Sequence, residues 1–235
     1  MSIKAVLFDL DGTLLPMDAK VFVNAYGTTI SKKIAPYGYD GELLMKAIWG
    51  GIGMMQKNDG SFTNQEVYDN VFKTVLGDDM WEIKKILDDY HHNEFQQIKD
   101  VCGYNPKAAE SVRTCKAMGY RVVLATNPVF PSIATESRMR WAGLEPEEFE
   151  LYTTYENSSF CKPSLEYYVE ILNKLGVSPE ECLMVGNDVT EDMVTEELGM
   201  KVFLLTNDLI NRENKDISKY PQGDYDDLLH FIKEL

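Results

Sequence analysis

Apolar residues along the chain follow two patterns: short continuous runs, and longer segments in which they recur every three or four positions. The runs are typical of buried strands, and the recurring pattern is typical of helices. Residues 3–8 form the first run, residues 18–99 hold only helical patterns, and strands and helices alternate after residue 104. Further strands are predicted at residues 121–125, 151–154, 182–185 and 201–205, and helices at residues 106–118, 132–141, 164–175, 191–198 and 224–233.

Strands that alternate with helices are typical of a parallel sheet with helices on both faces. We therefore expect an α/β protein, with a Rossmann-like parallel sheet flanked by helices and a second, small all-α domain. Residues 1–17 and 100–235 are expected to form the α/β core domain, and residues 18–99 a helical domain inserted after the first strand. Because open sheets bind ligands at the carboxyl ends of their strands, an insertion at this point is expected to act as a lid. Its helices are predicted at residues 18–35, 41–57, 63–76 and 79–99.

The composition narrows the possible partners. Lys and Arg number 23 against 38 Asp and Glu, a net charge of −15, so the chain is a poor match for nucleic acid or an anionic membrane surface. No apolar run reaches the roughly 18 to 20 residues of a membrane-spanning helix, and the amino terminus lacks the pattern of a signal peptide. The four cysteines show no zinc-site spacing and are expected to be reduced and mostly buried. We expect a cytoplasmic protein, a monomer or weak dimer, with a small-molecule partner.

Polar residues follow four of the predicted strands at their carboxyl ends. Each of them alone is common at a cap or turn. Because the carboxyl ends of parallel strands meet at one edge of the sheet, all of them together indicate a site. They are Asp9 and Asp11 after the first strand, Thr126 and Asn127 after the second, Lys162 after the third, and Asp188 and Asp192 after the fourth.

The charges at this edge predict a cation. Aspartate side chains have an ordinary pKa of about 3.9 and are ionised at neutral pH. Two such charges about 4 Å apart repel by roughly 4 kcal/mol at an effective dielectric constant of about 20. Oxygen ligands without Cys or His favour Mg²⁺, and Lys162 adds a second positive charge. A metal, a lysine, a hydroxyl and backbone N–H groups around one carboxylate are typical of a phosphoryl-transfer site with a carboxylate nucleophile.

These residues resemble the motifs of the haloacid dehalogenase superfamily. Residues 8–14 (Phe-Asp-Leu-Asp-Gly-Thr-Leu) resemble its first motif, in the DxDGT form of the phosphatases. Residues 124–127 resemble the second motif, Lys162-Pro163 the third, and residues 186–192 the acidic fourth. The resemblance covers essentially the whole chain. It implies that residues 18–99 are the family's cap domain, placed between the first and second motifs.

The resemblance implies a role for each residue of the catalytic set. Asp9 would attack phosphorus and form an aspartyl-phosphate. Asp11 would protonate the leaving oxygen and then deprotonate the attacking water. Thr126 would hold a phosphoryl oxygen, and Lys162 would neutralise the nucleophile.

The resemblance also implies the binding residues. Asp9, the backbone carbonyl of Asp11 and Asp188 would hold Mg²⁺. Leu10 and Thr13 would bind the substrate together with the N–H of Asn127. Asn187 and Asp192 would lie behind the metal ligands. Asn187 is a departure, because the family usually has Gly before the first Asp of this motif.

The function expected from this set is hydrolysis of a small phosphorylated metabolite by a Mg²⁺-dependent phosphatase. Asp11 is the discriminating residue, because family members that displace halide need no proton donor there. One alternative is a phosphomutase of the β-phosphoglucomutase type. Another is a phospho-accepting signalling or binding protein, since receiver domains also combine an Asp cluster, Thr or Ser, Lys and Mg²⁺.

The helical insertion offers candidates for substrate recognition. Residues 49–55 (Trp-Gly-Gly-Ile-Gly-Met-Met) are interpreted as a loop facing the active site, with Trp49 and Gly50 binding substrate. The alternative is a helix-hairpin turn with a core Trp and Met. Residues 18–99 contain no Arg, which weighs against bisphosphorylated substrates. The adjacent His91 and His92 are expected at the surface or an interface.

Overall fold

The computed structural model describes residues 2–235. The strands are β1 (Ala5–Phe8), β2 (Arg121–Leu124), β3 (Leu151–Tyr152), β4 (Cys182–Gly186), β5 (Lys201–Leu205) and β6 (Gln222–Gly223). The α-helices are α1 (Ala19–Ile34), α2 (Gly41–Met55), α3 (Asn64–Leu76), α4 (Met80–His92), α5 (Pro106–Ala117), α6 (Ser132–Trp141), α7 (Leu165–Leu175) and α8 (Tyr225–Lys233). The strands form one parallel sheet in the order β3-β2-β1-β4-β5-β6. The sheet with its flanking helices confirms the predicted α/β fold class.

β1 lies inside the sheet, paired with β2 on one side and β4 on the other. Its four residues are fully buried and alternate between two apolar clusters. Val6 and Phe8 pack into the cluster on one face of the sheet, and Ala5 and Leu7 pack into the cluster on the other face. A parallel strand that is buried on both faces has a continuous apolar sequence, and this is why β1 is visible in the sequence.

The register of β1 aligns the carboxyl ends of three strands. Phe8, its last residue, lies beside Leu124 of β2 and beside Val185 of β4. The segments that follow these strands therefore leave the sheet side by side. The loops at this edge carry the predicted site residues.

Helices α1 to α4 lie between β1 and α5 in the sequence. α2 and α3 approach closely because Gly51 faces Tyr68, where a Cβ atom at residue 51 would lie 2.4 Å from the ring. The apolar cluster of these helices continues into that of the sheet. Phe22 and Tyr26 of α1 contact the Phe130 ring edge-on, with ring centroids 6.1 and 5.5 Å apart. Within residues 2–235, every helix is too short or too polar to span a bilayer.

The helix expected at residues 79–99 is shorter than predicted. α4 ends at His92, because Asn93 leaves helical geometry with φ −117° and ψ −82°. A 3₁₀ helix (Glu94–Val101) continues the chain. The 3.6-residue apolar pattern persists across this break, so the sequence gives no sign of it.

His91 is buried in the structure, where a position at the surface or an interface was expected. Its side chain is 5% exposed and packs against the rings of Tyr26, Tyr90 and Phe95. Its Nε2 lies 3.4 Å from the Tyr26 hydroxyl. The two adjacent histidines do point in different directions, since His92 is exposed.

Candidate active site

The loop after β1 places Asp9 at the carboxyl edge of the sheet. The Asp9 N–H donates to the Val185 carbonyl oxygen at 2.9 Å, which extends the ladder between β1 and β4 by one residue. The chain then turns through Gly12, whose φ is +86°. A Cβ atom at this position would lie 2.3 Å from Asn187 Nδ2. Glycine is therefore required both by the turn and by the close approach of the loop after β4.

Lys162 joins two of the predicted acids. Its Nζ donates to Asp9 Oδ1 at 2.8 Å and to Asp192 Oδ1 at 2.6 Å, and its side chain is 1% exposed. Burial lowers the pKa of Lys162, but the charges of Asp192 and Asp9 outweigh burial and hold this pKa well above its ordinary value. Burial raises the pKa of Asp192, against the opposing effect of Lys162. The structure thus fixes a positive charge beside Asp9.

Thr13 supports the other oxygen of Asp9. The Thr13 hydroxyl lies 3.0 Å from Asp9 Oδ2 and 3.0 Å from Asn187 Oδ1, and it can donate its single proton to either oxygen, one at a time. Thr13 and Leu10 are almost fully buried and lie behind Asp9. Their contact with substrate stays a prediction, and the contact that the structure shows is the hydrogen bond from Thr13 to the Asp9 carboxylate.

Asp188 is held in the loop after β4 by both of its carboxylate oxygens. Oδ1 accepts hydrogen bonds from the N–H groups of Thr190 (2.8 Å) and Glu191 (3.0 Å). Oδ2 accepts one from Arg212 Nη1 at 2.8 Å. The Asp188 N–H donates to Asp192 Oδ2 at 2.9 Å. These contacts bring the two acids of the fourth motif together on one short loop.

A cavity of about 140 Å³ lies at this edge. The structure brings most of the predicted set together around it, while Lys162 reaches Asp9 from behind. Glu191 and Arg212 also line it and were not predicted. The predicted residues that line the cavity are Asp9, Asp11, Thr126, Asn127, Asn187, Asp188 and Asp192.

Two buried oxygen atoms at this cavity have no hydrogen-bond partner. They are Asp11 Oδ1 and Asn127 Oδ1, and both residues line the cavity. Asn127 Nδ2 makes a long contact of 3.4 Å to Glu191 Oε2. Buried polar atoms are almost always paired in native proteins. The unpaired acceptors therefore mark this cavity as a place for a ligand that donates protons or carries positive charge.

Arg138 is a site residue that the sequence analysis missed. It lies on α6, is fully buried, and its Nη1 donates to Asp11 Oδ2. Burial raises the pKa of Asp11, and Arg138 opposes this rise. No motif pattern marks Arg138, because it is one of two basic residues on an ordinary helical segment.

Trp49 and Gly50 do not lie in a loop. They are part of α2, so the loop interpretation is wrong, and the glycine at position 51 serves the close packing of α2 against α3 described above. Trp49 is 42% exposed. Neither residue lines the acidic cavity around Asp9 and Asp188, and neither lines the aromatic cavity around Tyr26 and Phe130. Their contact with substrate stays a prediction.

A second cavity lies between the helices α1 to α4 and the segment that follows β2. Its volume is about 40 Å³. Tyr26, Tyr68, His91, Phe130 and Tyr155 are among its lining residues. Burial lowers the pKa of His91 to about 4, so its ring is neutral at pH 7. The chain passes from the acidic cavity to this aromatic one within two residues, from position 127 to position 129.

Comparison with known proteins supports the resemblance seen in the motifs. A family model described as haloacid dehalogenase-like hydrolase matches residues 3–195. A glyceraldehyde 3-phosphate phosphatase of Methanocaldococcus jannaschii is 27% identical, over 99% of this chain and 98% of the relative. A second protein of that name, from Methanothermobacter thermautotrophicus, is 24% identical over 92% of both chains.

A solved structure shares the fold. It is the HAD hydrolase YfnB of Bacillus subtilis bound to magnesium, with a TM-score of 0.57 and 18% identity, covering 99% of each chain. At this identity the likeness concerns the fold alone.

Proposed function

Because the chain belongs to the haloacid dehalogenase-like hydrolase family, we propose that it is a phosphatase that hydrolyses a small phosphorylated metabolite through an aspartyl-phosphate on Asp9. The observation that carries this proposal is the environment of the Asp9 carboxylate. One oxygen is held by Lys162 and the other by Thr13, at a cavity that Asp11 also lines. A nucleophile, a fixed positive charge and a second acid thus occupy one small volume.

In the first step, a carboxylate oxygen of Asp9 attacks phosphorus, and the bond from phosphorus to the leaving oxygen breaks. Asp11, in its protonated form, gives its proton to that leaving oxygen. Burial raises the pKa of Asp11, which favours the protonated form. Lys162 offsets the negative charge that gathers around Asp9.

In the second step, Asp11 is ionised and accepts a proton from a water molecule. The water oxygen attacks phosphorus, the bond from phosphorus to Asp9 breaks, and inorganic phosphate leaves. Thr126 and Asn127 line the cavity and are placed to bind phosphoryl oxygens during both steps. Asp9 and Asp11 end the cycle in the states in which they began it.

The residues present fit a Mg²⁺ ion. The ligands would all be oxygens, from Asp9, Asp188 and the backbone carbonyl of Asp11, and the unpaired Asp11 Oδ1 lies at the same cavity. Within residues 2–235, no cluster of three His, Cys, Asp or Glu side chains forms a metal site, and the proposed set uses two carboxylates with one carbonyl. When bound, the ion would neutralise charge on the phosphoryl group.

The aromatic cavity supports a small, hydroxylated leaving group. Tyr26, Tyr68 and Tyr155 each contribute a phenol to its lining, which can hydrogen-bond a hydroxyl or carbonyl oxygen. A three-carbon phosphate ester, of the kind that names the two archaeal relatives, would fit this description.

We further propose that residues 18–99 form the cap domain over the core of residues 1–17 and 100–235, and that the protein is cytoplasmic and a monomer or weak dimer.

The test is a screen of small phosphate esters for phosphate release, with and without Mg²⁺. We expect Mg²⁺-dependent release that Asp9→Asn lowers by about three orders of magnitude or more. Asp18→Asn is the matched control, because Asp18 caps α1 and Asn caps helices equally well. Activity that survives in Asp9→Asn would remove Asp9 from the nucleophile role.

The same screen separates the alternatives. A phosphomutase would convert a hexose phosphate to its isomer without releasing phosphate. A phospho-accepting signalling protein would accumulate a stable aspartyl-phosphate without turnover.

A further inference from the structure

Arg138 is the largest fully buried side chain among residues 2–235. Its Nη1 donates to Asp11 Oδ2, its Nε donates to the Ala134 carbonyl oxygen at 3.3 Å, and its Nη2 donates to Thr135 Oγ1 at 3.3 Å. The guanidinium carbon lies 4.5 Å from the centroid of the Phe130 ring. These four contacts hold the guanidinium in one place.

Asp11 depends on this one partner. Its Oδ2 is bound by Arg138, and its Oδ1 has no partner at all. The side chain is otherwise partly open to the cavity, with 35% of its surface exposed. The direction in which the Asp11 carboxylate points is therefore set by an arginine that is buried on α6 and does not itself line the cavity.

A purely structural role accounts poorly for this arginine. Burying a guanidinium is costly, and replacing a buried ion pair with apolar side chains is often neutral or stabilising. Arg140, two residues along the same helix, shows the ordinary arrangement. It pairs with Glu136 and Glu145 at the exposed surface.

We propose that Arg138 is a positioning residue, which aims the Asp11 carboxyl at the leaving oxygen and at the attacking water. The inference rests on the proposed function, because the placement of Asp11 matters only if Asp11 transfers a proton. A misplacement of about 1 Å costs on the order of 100-fold in rate. Arg138 also packs on Phe130, which lines the aromatic cavity, so one side chain contacts both the acid and a wall of the aromatic cavity.

The first test compares neutral and charged replacements. Arg138→Met and Arg138→Gln both remove the charge, and the second keeps a polar side chain in case the first does not fold. We expect kcat to fall between about 10-fold and about 100-fold in both, with KM nearly unchanged and with a smaller loss in Arg138→Lys. Arg140→Met is the matched control and is expected to keep wild-type kcat. Thermal unfolding of each variant verifies that it is folded at the assay temperature.

The second test uses the chemistry of the leaving group. p-Nitrophenol is a far stronger acid than an alkyl alcohol, so its departure needs little help from a proton donor. The loss in Arg138→Gln is therefore expected to be smaller with p-nitrophenyl phosphate than with an alkyl phosphate. A structural defect would lower both rates by the same factor.

The third test repeats Arg138→Gln in an Asp11→Asn background. If Arg138 acts through Asp11, the second substitution lowers kcat no further. Wild-type kcat in the folded neutral variants, or an equal further loss in the Asp11→Asn background, would overturn the inference. The proposed function fails separately, if the wild-type protein releases no phosphate or if Asp9→Asn keeps its activity.

Discussion

Protonation of the buried His91 is expected to destabilise the protein in mild acid. The ring is 5% exposed and is enclosed by side chains of several elements. Tyr26 faces it from α1, Tyr90 and His92 lie beside it on α4, and the charge of Arg138 acts on it from α6. None of these groups is a carboxylate; Asp88 and Lys84, of opposite charge, line the same cavity as His91.

The size of the effect follows from the pKa. Burial lowers the pKa of His91 from 6.5 to about 4. Between these two values the unfolded chain binds a proton that the folded chain does not, so the free energy of unfolding decreases as the pH falls. The neutral His91 ring makes its full contribution to the free energy of unfolding only above the unfolded-state pKa of about 6.5. By pH 5.5 the loss is about 1.4 kcal/mol, since one pKa unit is worth about 1.4 kcal/mol.

The measurement compares variants at two pH values. Urea unfolding of the wild type and of His91→Gln is followed at pH 7.5 and pH 5.5. Every other titrating group is common to both proteins, so the difference in their pH dependence isolates His91. We expect the wild type to lose about 1.4 kcal/mol more than His91→Gln, which corresponds to about 3 to 6 °C in Tm for a chain of this size. His92→Gln is the control and should behave as the wild type, because His92 is exposed. Equal losses in the wild type and His91→Gln would refute the reasoning.

Two further predictions concern packing and charge. Gly51→Ala should lower the free energy of unfolding by about 1–3 kcal/mol, because the new Cβ meets the Tyr68 ring. Gly53→Ala, in the same helix with open space around it, should raise it by about 0.5–1 kcal/mol; chemical denaturation compares the two. Lys162→Met should abolish phosphate release and cost about 3–5 kcal/mol of stability, because it leaves the buried Asp192 without its ion-pair partner. If Lys162→Met unfolded at the same free energy as the wild type, the buried Lys162–Asp192 ion pair would not stabilise the protein as argued.

The strands and helices were predictable where local sequence determines them. The strand that ends at Phe8 is buried on both faces, and its apolar run shows this directly. The helix predicted at residues 63–76 begins after Thr63, where Thr63 and Glu66 form a capping box with both of its hydrogen bonds present. The strand β6 (Gln222–Gly223) was not predicted, because two residues without an apolar pattern are defined only by their pairing with β5.

The site was predictable to the extent that topology determines it. Residues that follow parallel strands meet at one edge, so Asp9, Lys162 and Asp192 were expected together, and they are in hydrogen-bond contact. Arg138 was not predictable in this way, because a helix can present a basic residue on any face. Its partnership with Asp11 follows only from how α6 packs against the loop after β1.

The departure from the family pattern at Asn187 is explained by how two loops interlock. Asn187 occupies the position where Gly is usual, and its Nδ2 donates to the Asp208 carbonyl oxygen at 2.7 Å while its Oδ1 approaches Thr13. The space for this side chain comes from Gly12, where a Cβ would collide with it. The glycine that the fourth motif needs lies one residue earlier, at Gly186, where a Cβ would lie 2.1 Å from Asp192 Oδ2. Gly186 thus leaves the space that the Asp192 side chain occupies beneath the loop. The amide beside it links the fourth motif to the hydroxyl that supports the proposed nucleophile.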